Sequence, residues 1–495
     1  MSNLAAAFAN SASVHADKPA LYWGDTVYSY SQFARSAAWL TRELVTRLGV
    51  RPGDRVGIWL KNRPEFVTTL FGILGAGAVV VPVNNFLKPV EVGYLLADAG
   101  VDVLVSETAL AESFSELAAA RAGLRVLVAE DFPTTPEGVD HWPMITRTSA
   151  DLAVLIYTSG TTGRPKGAML THGNLLHNVA SVCEILRVVD FDRFVLLLPM
   201  FHSFMLTVCI LTPLLAGGSI VLIRSVSPAK AMLQEMLQNQ GSVLPAMAAI
   251  FRLLGTLPAG LELPLRLCIS GAGPLPAEIL RLFNERHPLV PLIEGYGLSE
   301  ASPVVSINPV QGPWIAGTIG IPIPDVEISI QDDAGNFLAD TMDGEVCVRG
   351  GNVMAGYWNA PEKTAETLVN GWLRTGDIGH RRADGYYAIT DRKKDMLKPN
   401  GINVYPREIE EVIYRFKGVR EAAVVGEPCD RRGERPVAFV SLDEGATFDE
   451  KALMAFLREH LADFKLPKRA LVLPALPRNA TGKILKTTLR ELLKA

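Results

Sequence analysis

The chain has 495 residues, 48% apolar and 20% charged, with a formal net charge of −4. This composition excludes a disordered chain, and at roughly 100–200 residues per domain it implies two to four units. The mildly acidic balance leaves no basic footprint for nucleic acid, and five cysteines without a CxxC pair suit reduced thiols in a cytoplasmic protein.

The N-terminal stretch MSNLAAAFANSASVHADKP lacks a basic leader and fits a signal peptide poorly. SYSQFARSAAWLTRELVTRLG has helical spacing and ends at Gly49; DRVGIWL reads as a strand, PEFVTTLFGILGAG as a helix and AVVVPV as a buried strand. DVLVSE, RVLVAE and AVLIYTSG repeat the strand signal beside helical segments. Such alternation predicts parallel-type sheets with helices on both faces. Thr171 is placed to cap a helix over THGNLLHNVASVCEIL. Residues 195–223 carry no Asp, Glu, Lys or Arg, long enough for a membrane span. Pro199, Pro213 and Gly217-Gly218 instead cut this run into strand, buried helix and strand. From about residue 317, VEISIQD, GEVCVRG and GYYAITD predict a β-rich subdomain. The charged run 391–395 reads as an exposed connector, followed by an α+β unit suited to be a mobile domain. The expected division is 1–391 and 392–495.

Chemistry concentrates first in YTSGTTGRPKG, residues 157–167. It does not match GxxxxGK[ST], because Lys166 follows Pro165 and precedes Gly167. The hydroxyls of Thr158, Ser159, Thr161 and Thr162 can still donate hydrogen bonds. Gly160 and Gly163 let backbone N–H groups approach phosphate, and Lys166 adds a charge. A strand running into this loop places it where α/β sheets bind ligands.

The stretch resembles the phosphate-loop signature of the adenylate-forming superfamily, which includes acyl-CoA synthetases, peptide-synthetase adenylation domains and luciferases. Further signatures follow in the family's order: SGAGPLP (270–276), EGYGLSEASPV (294–304), LRTGDIG (373–379), DRKKDMLKPNGINVYPREIEE (391–411) and PRNATGKILK (477–486). PMFHSFMLTVC, LCISGAG, GLSEASPV and NVYPREIEE look most like bacterial medium- or long-chain fatty acyl-CoA synthetases. The resemblance implies ATP and Mg2+ as cofactors, CoA as co-substrate and a fatty acid activated through acyl-AMP. An aryl or other carboxylic acid, and a carrier-protein phosphopantetheine in place of CoA, stay open.

By motif position, Gly271 and Gly273 lie on the adenine side, and Gly295, Tyr296, Gly297 and Ser299 in the nucleotide motif. Tyr296 suits adenine stacking, Ser299 the α-phosphate and Glu300 the magnesium ion. Asp377 can accept hydrogen bonds from the ribose hydroxyls, with Arg392 beside it. Lys483 implies a cation between carboxylate and α-phosphate, and Lys394 a hinge between the two half-reactions. His202 and Phe204 fall at the acyl site; Val243, Ala246, Met247 and Ala248 are candidates for an acyl tunnel, with core packing the alternative for each. Gly401 belongs to the thiol-access motif, but Asn400 stands before it where many relatives have a second glycine, which leaves the thiol acceptor open. Singly, Lys483 also fits a solvated lysine, Glu300 a helix-start carboxylate, Asp377 a turn residue and His202 a buried histidine. Jointly they argue against a silent binding protein. Peripheral membrane contact and a homodimer are compatible with so apolar a chain.

Overall fold

The computed structural model describes residues 3–138, 141–158, 165–258, 261–399, 402–429, 433–479 and 482–494. Two large sheets organise the N-terminal unit. The six-stranded sheet runs in the order Arg125–Val128, Val101–Ser106, Arg55–Trp59, Val79–Pro82, Leu152–Thr158, Lys166–Thr171. Its strands are parallel except the last pair. The nine-stranded sheet has a parallel centre, in which Leu292–Gly297, Leu267–Ser270, Val243–Ala246, Arg193–Leu196 and Ser219–Leu222 are successive neighbours. The central strands are largely buried, as expected of a parallel sheet covered on both faces.

The β-rich region is an antiparallel five-stranded sheet built on Val326–Gln331, Gly344–Gly350, Trp372–Arg381 and Tyr387–Arg392, with the short strand Leu368–Val369. Beyond it, helices Pro406–Tyr414 and Glu450–His460 pack on the strands Val419–Cys429, Gly433–Leu442 and Ala470–Val472. One large buried cluster and a smaller one belong to the first unit; two others begin at Leu397 and Ala423 and stay within the second.

The run 391–395, read as an exposed connector, has Asp391 and Asp395 buried, and three further features go beyond the sequence expectation. The loop after Thr158 does not lead directly to the helix at His172: Lys166–Thr171 forms a strand paired with Leu152–Thr158, Ile156 facing Ala168. KGAMLT has little β propensity, and pairing with a buried neighbour decides its conformation. Thr171 still caps that helix, accepting from the Asn174 N–H at 3.1 Å. The run 195–223 divides into strand, helix and strand as expected, but Met205–Leu211 is a π-helix. Among the described residues no helix is long and apolar enough to cross a membrane. The N-terminal stretch folds as helix Leu4–Val14, whose Phe8 is fully buried and stacks on Phe71 at 3.9 Å.

Asp192 and Arg266 precede two strands that flank Val243–Ala246, at the end of the sheet opposite the large cavity described below. Arg266 donates to both oxygens of the fully buried Asp192, at 2.6 and 2.5 Å, and Ser242 Oγ donates at 3.0 Å. Removing one partner of such a pair leaves the other unpaired. Asp192→Ala is expected to cost about 3 kcal/mol of stability, read by urea denaturation, while ATP affinity stays at the parent value.

Candidate active site

A cavity of about 1900 Å³ opens where the central strands of the nine-stranded sheet end, as expected for ligand sites in α/β sheets. The six-stranded sheet, the five-stranded sheet and the C-terminal unit contribute its other walls. It brings together Thr158, Lys166, His202, Phe204, Met247, Ala248, Gly271, Gly273, Gly295, Tyr296, Gly297, Ser299, Glu300, Asp377, Arg392, Lys394 and Lys483. Val243 and Ala246 are fully buried in their strand and are not among the lining residues. Ser159, Gly160, Thr161, Thr162, Gly163 and Gly401 lie outside the described residues.

The polar end is built from strand termini. Asp377 and Arg392 face each other in adjacent antiparallel strands, with Arg392 Nε 2.9 Å from Asp377 Oδ1. Tyr296, near the end of strand Leu292–Gly297, donates its hydroxyl to Asp377 Oδ2 at 2.6 Å. Burial, reinforced by Asp377, raises the Tyr296 pKa and keeps that donor protonated. Asp377 in turn raises the pKa of Arg392. Glu300 sits in the short 3₁₀ turn Ser299–Ala301 and accepts from Tyr357 Oη at 2.9 Å and from Thr158 Oγ1 at 3.4 Å. Lys166 Nζ lies 5.2 Å from the centre of the Tyr357 ring. One carboxylate near a lysine suits Mg2+, which is commonly held by one or two carboxylates plus substrate phosphates.

Lys483 is presented by a tight turn from the C-terminal unit. The Asn479 N–H donates to the Lys483 carbonyl, and Asn479 Oδ1 accepts from the Lys483 N–H, both at 2.9 Å. Gly482 has φ +81°, a backbone state that glycine adopts without strain. Lys483 keeps an opening to the cavity, yet its crowded position and the cations Arg392 and Lys394 lower its pKa to about 8. Asp377 and Asp395 oppose that shift. Burial also lowers the pKa of Lys394, which lies in the turn after strand Tyr387–Arg392.

The opposite wall of the cavity is apolar. His202 Nδ1 accepts from the Phe204 N–H at 3.3 Å, and burial brings the imidazole pKa down to about 4. His202 is therefore neutral at pH 7, with its proton on Nε2. Gly271 leaves room for Phe204: a Cβ there would meet the ring at 2.9 Å. Beyond it, Val182, Ile185, Leu186, Val208, Val304 and Ile307 line the wall. A Cβ on Gly482 would meet Met247 Cε at 2.1 Å, so Met247 touches the turn that carries Lys483.

Sequence reasoning missed Tyr357, Ser203 and Glu294. Tyr357 reaches Glu300 across 57 positions, and no spacing rule signals it. Ser203 Oγ lies 2.9 Å from Ser299 Oγ and joins the His202 segment to the nucleotide motif; its place beside His202 was the available clue. Glu294, the first residue of EGYGLSEASPV, lines the cavity as a buried carboxylate pushed up to about 7 by desolvation.

The family profile described as AMP-binding enzyme matches residues 8–358, and that described as AMP-binding enzyme C-terminal domain matches 408–483. The chain is 36% identical to a feruloyl-CoA synthase of an Amycolatopsis species, over 94% of each chain. It is 33% identical to the long-chain-fatty-acid–CoA ligase of Salmonella typhimurium, over 98% of this chain and 93% of the other. Its structure is similar to ATP-bound MatB from Rhodopseudomonas palustris, with a TM-score of 0.90, 32% identity and coverage of 100% and 99%. Against apo MatB, at the same identity and coverage, the TM-score is 0.79. With both family profiles matched and these relatives aligned over nearly their whole length, the chain belongs to the AMP-binding enzyme family, among its adenylate-forming CoA ligases.

Proposed function

We propose that the protein activates a medium- or long-chain fatty acid as acyl-AMP and transfers the acyl group to the thiol of CoA. The observation that carries this proposal is the continuity of one cavity. It runs from Lys166, Glu300, Asp377 and Lys483 to a wall of Val182, Ile185, Leu186, Val208, Val304 and Ile307. The polar end suits a nucleotide and the apolar end an aliphatic chain.

In the first half-reaction a carboxylate oxygen attacks the α-phosphorus of ATP, the bond to the β-phosphate oxygen breaks, and pyrophosphate leaves. Negative charge gathers around the α-phosphate, where fixed donors act most strongly. Charged Lys483 holds the carboxylate and α-phosphate together against their repulsion. The loop after Thr158 and Lys166 receive the β- and γ-phosphates, and Ser299 the α-phosphate. Asp377 takes the ribose hydroxyls, and Tyr296 lies against adenine with its hydroxyl anchored. Glu300 would hold Mg2+, which when bound neutralises phosphate charge. His202, neutral, offers its Nε2–H to the acid. In the second half-reaction the CoA thiolate attacks the acyl carbon, the bond to the phosphate oxygen breaks, and AMP leaves. Lys483 must then make way, with Lys394 as the hinge of a swing by the C-terminal unit.

A second substrate class has its own support. Ser270 is fully buried, lines the cavity, and its hydroxyl has no hydrogen-bond partner. An acid that carries a hydroxyl group would satisfy it, in keeping with the feruloyl-CoA synthase relative.

Mass spectrometry of products from Mg-ATP, CoA and a panel of acetate, octanoate, palmitate, benzoate and ferulate tests the substrate. Octanoyl- or palmitoyl-CoA is expected; feruloyl-CoA as the main product would replace the fatty-acid proposal, and acyl-AMP persisting with CoA present would point to a carrier protein. Lys483→Ala is expected to lower acyl-AMP formation about a hundred-fold or more, while supplied acyl-AMP still gives thioester; equal loss of both steps would remove the role. The Lys483 amine is charged below its pKa of about 8. The kcat/KM for adenylation should therefore fall as pH rises through that value, and the fall should be absent in Lys483→Arg. Glu300→Gln is expected to raise the Mg2+ concentration needed for half-maximal turnover without lowering Tm; an unchanged titration would exclude Glu300 as the ligand.

A further inference from the structure

Lys483 reaches the nucleotide end of the cavity only because the C-terminal unit lies in one position against the first. The apolar cores do not set that position. The large cluster of the first unit ends at Tyr387, with Ile389 packed on it, and the next core begins at Leu397. Polar contacts cross between the units instead. Arg252, on helix Ala248–Gly255, places Nη2 2.6 Å from Oδ1 of Asp443, just after strand Gly433–Leu442. The Ala277 N–H donates to Glu411 Oε2 at 3.4 Å, and Arg407 Nη2 lies 3.8 Å from Glu294 Oε1. Arg252–Asp443 is the shortest of these, and the Arg252 side chain is only 17% exposed.

The same helix joins the latch to the chemistry. Its first residues, Ala248 and Ala249, line the cavity, and Met247 just before it meets Gly482, the neighbour of Lys483. This helix is thus held to the C-terminal unit at two points, by a thioether contact beside Lys483 and by an ion pair further along. Polar interfaces of this kind permit relative motion of units unless particular pairs hold them. The chain also superposes better on ATP-bound MatB than on apo MatB, a difference between those two structures.

We propose that Arg252 and Asp443 are positioning residues for acyl-AMP formation: their ion pair holds the C-terminal unit where Lys483 faces the nucleotide end of the cavity. Neither touches the reacting atoms. The pair acts through the Lys483 turn, and its effect falls on the first half-reaction, since the second is proposed to follow the departure of Lys483. This role rests on the CoA-ligase function proposed above.

The test uses the full-length protein and two assays, acid-dependent ATP–pyrophosphate exchange with octanoate, palmitate or ferulate, and conversion of supplied octanoyl-AMP to octanoyl-CoA. Arg252→Ala and the near-isosteric Asp443→Asn are each expected to slow exchange about five-fold, the scale of one partly exposed ion pair. Conversion of octanoyl-AMP should stay within about two-fold of the parent rate. The charge-swapped double variant, Arg252→Asp with Asp443→Arg, should recover exchange. Unchanged exchange in both single variants, equal loss in both assays, or a double variant no better than the singles would overturn the latch. A wild-type protein that exchanges pyrophosphate with none of the acids would overturn the proposed activity itself, so the two failures are distinct.

Discussion

The site is organised around the carboxylate of Asp377. It is 3% exposed, and a carboxylate so buried persists only when its oxygens are partnered. Tyr296 takes one oxygen and Arg392 the other. These partners come from different places: Tyr296 from the end of the nine-stranded sheet, Asp377 and Arg392 from neighbouring strands of the five-stranded sheet. Arg392 also closes the last strand before the C-terminal unit. One small network therefore joins two sheets and fixes where the connector departs. Lys394 and Lys483 are placed relative to it, and both have pKa values lowered first by burial and then by Arg392.

The cavity has a gradient of polarity that follows from which elements face it. Strand ends and tight turns present carboxylates, hydroxyls and cations, because backbone and side-chain donors converge there. Helix faces, the π-helix and the strand Val304–Ile307 present aliphatic side chains. His202 stands at the boundary, uncharged because it is buried. A charged imidazole there would favour any anion, whereas a neutral one selects by the direction of a single N–H. Lys483 differs: its pKa of about 8 leaves it cationic at neutral pH yet near enough to titration for its surroundings to matter.

Much of this was legible in the residues. Parallel strands such as Val79–Pro82 announce themselves as continuous apolar runs, and Thr171 announces the helix it caps. Glu300, Asp377, Arg392 and Lys483, singled out from short motifs, line one cavity. Other features had no local signal. KGAMLT became a strand through its partner, and LAAAFANSASV became a core helix through contacts with Phe71 and its neighbours. Val243 and Ala246 had the size and polarity of tunnel residues, but strand pairing turned them into the packed core.

The sequence by itself determined the family, the succession of α/β, β-rich and α+β regions, and which charged residues stand together in short motifs. Those properties depend on periodicity and on groups clustered within a few positions. Only the tertiary structure decided that Tyr296 and Arg392 share one carboxylate, that Tyr357 holds Glu300, and that Met247 and Arg252 meet the C-terminal unit. It also decided that His202 is neutral and that the Lys483 pKa is lowered. Each of these outcomes depends on distance through space and on removal from water, and neither is encoded in the spacing of residues along the chain.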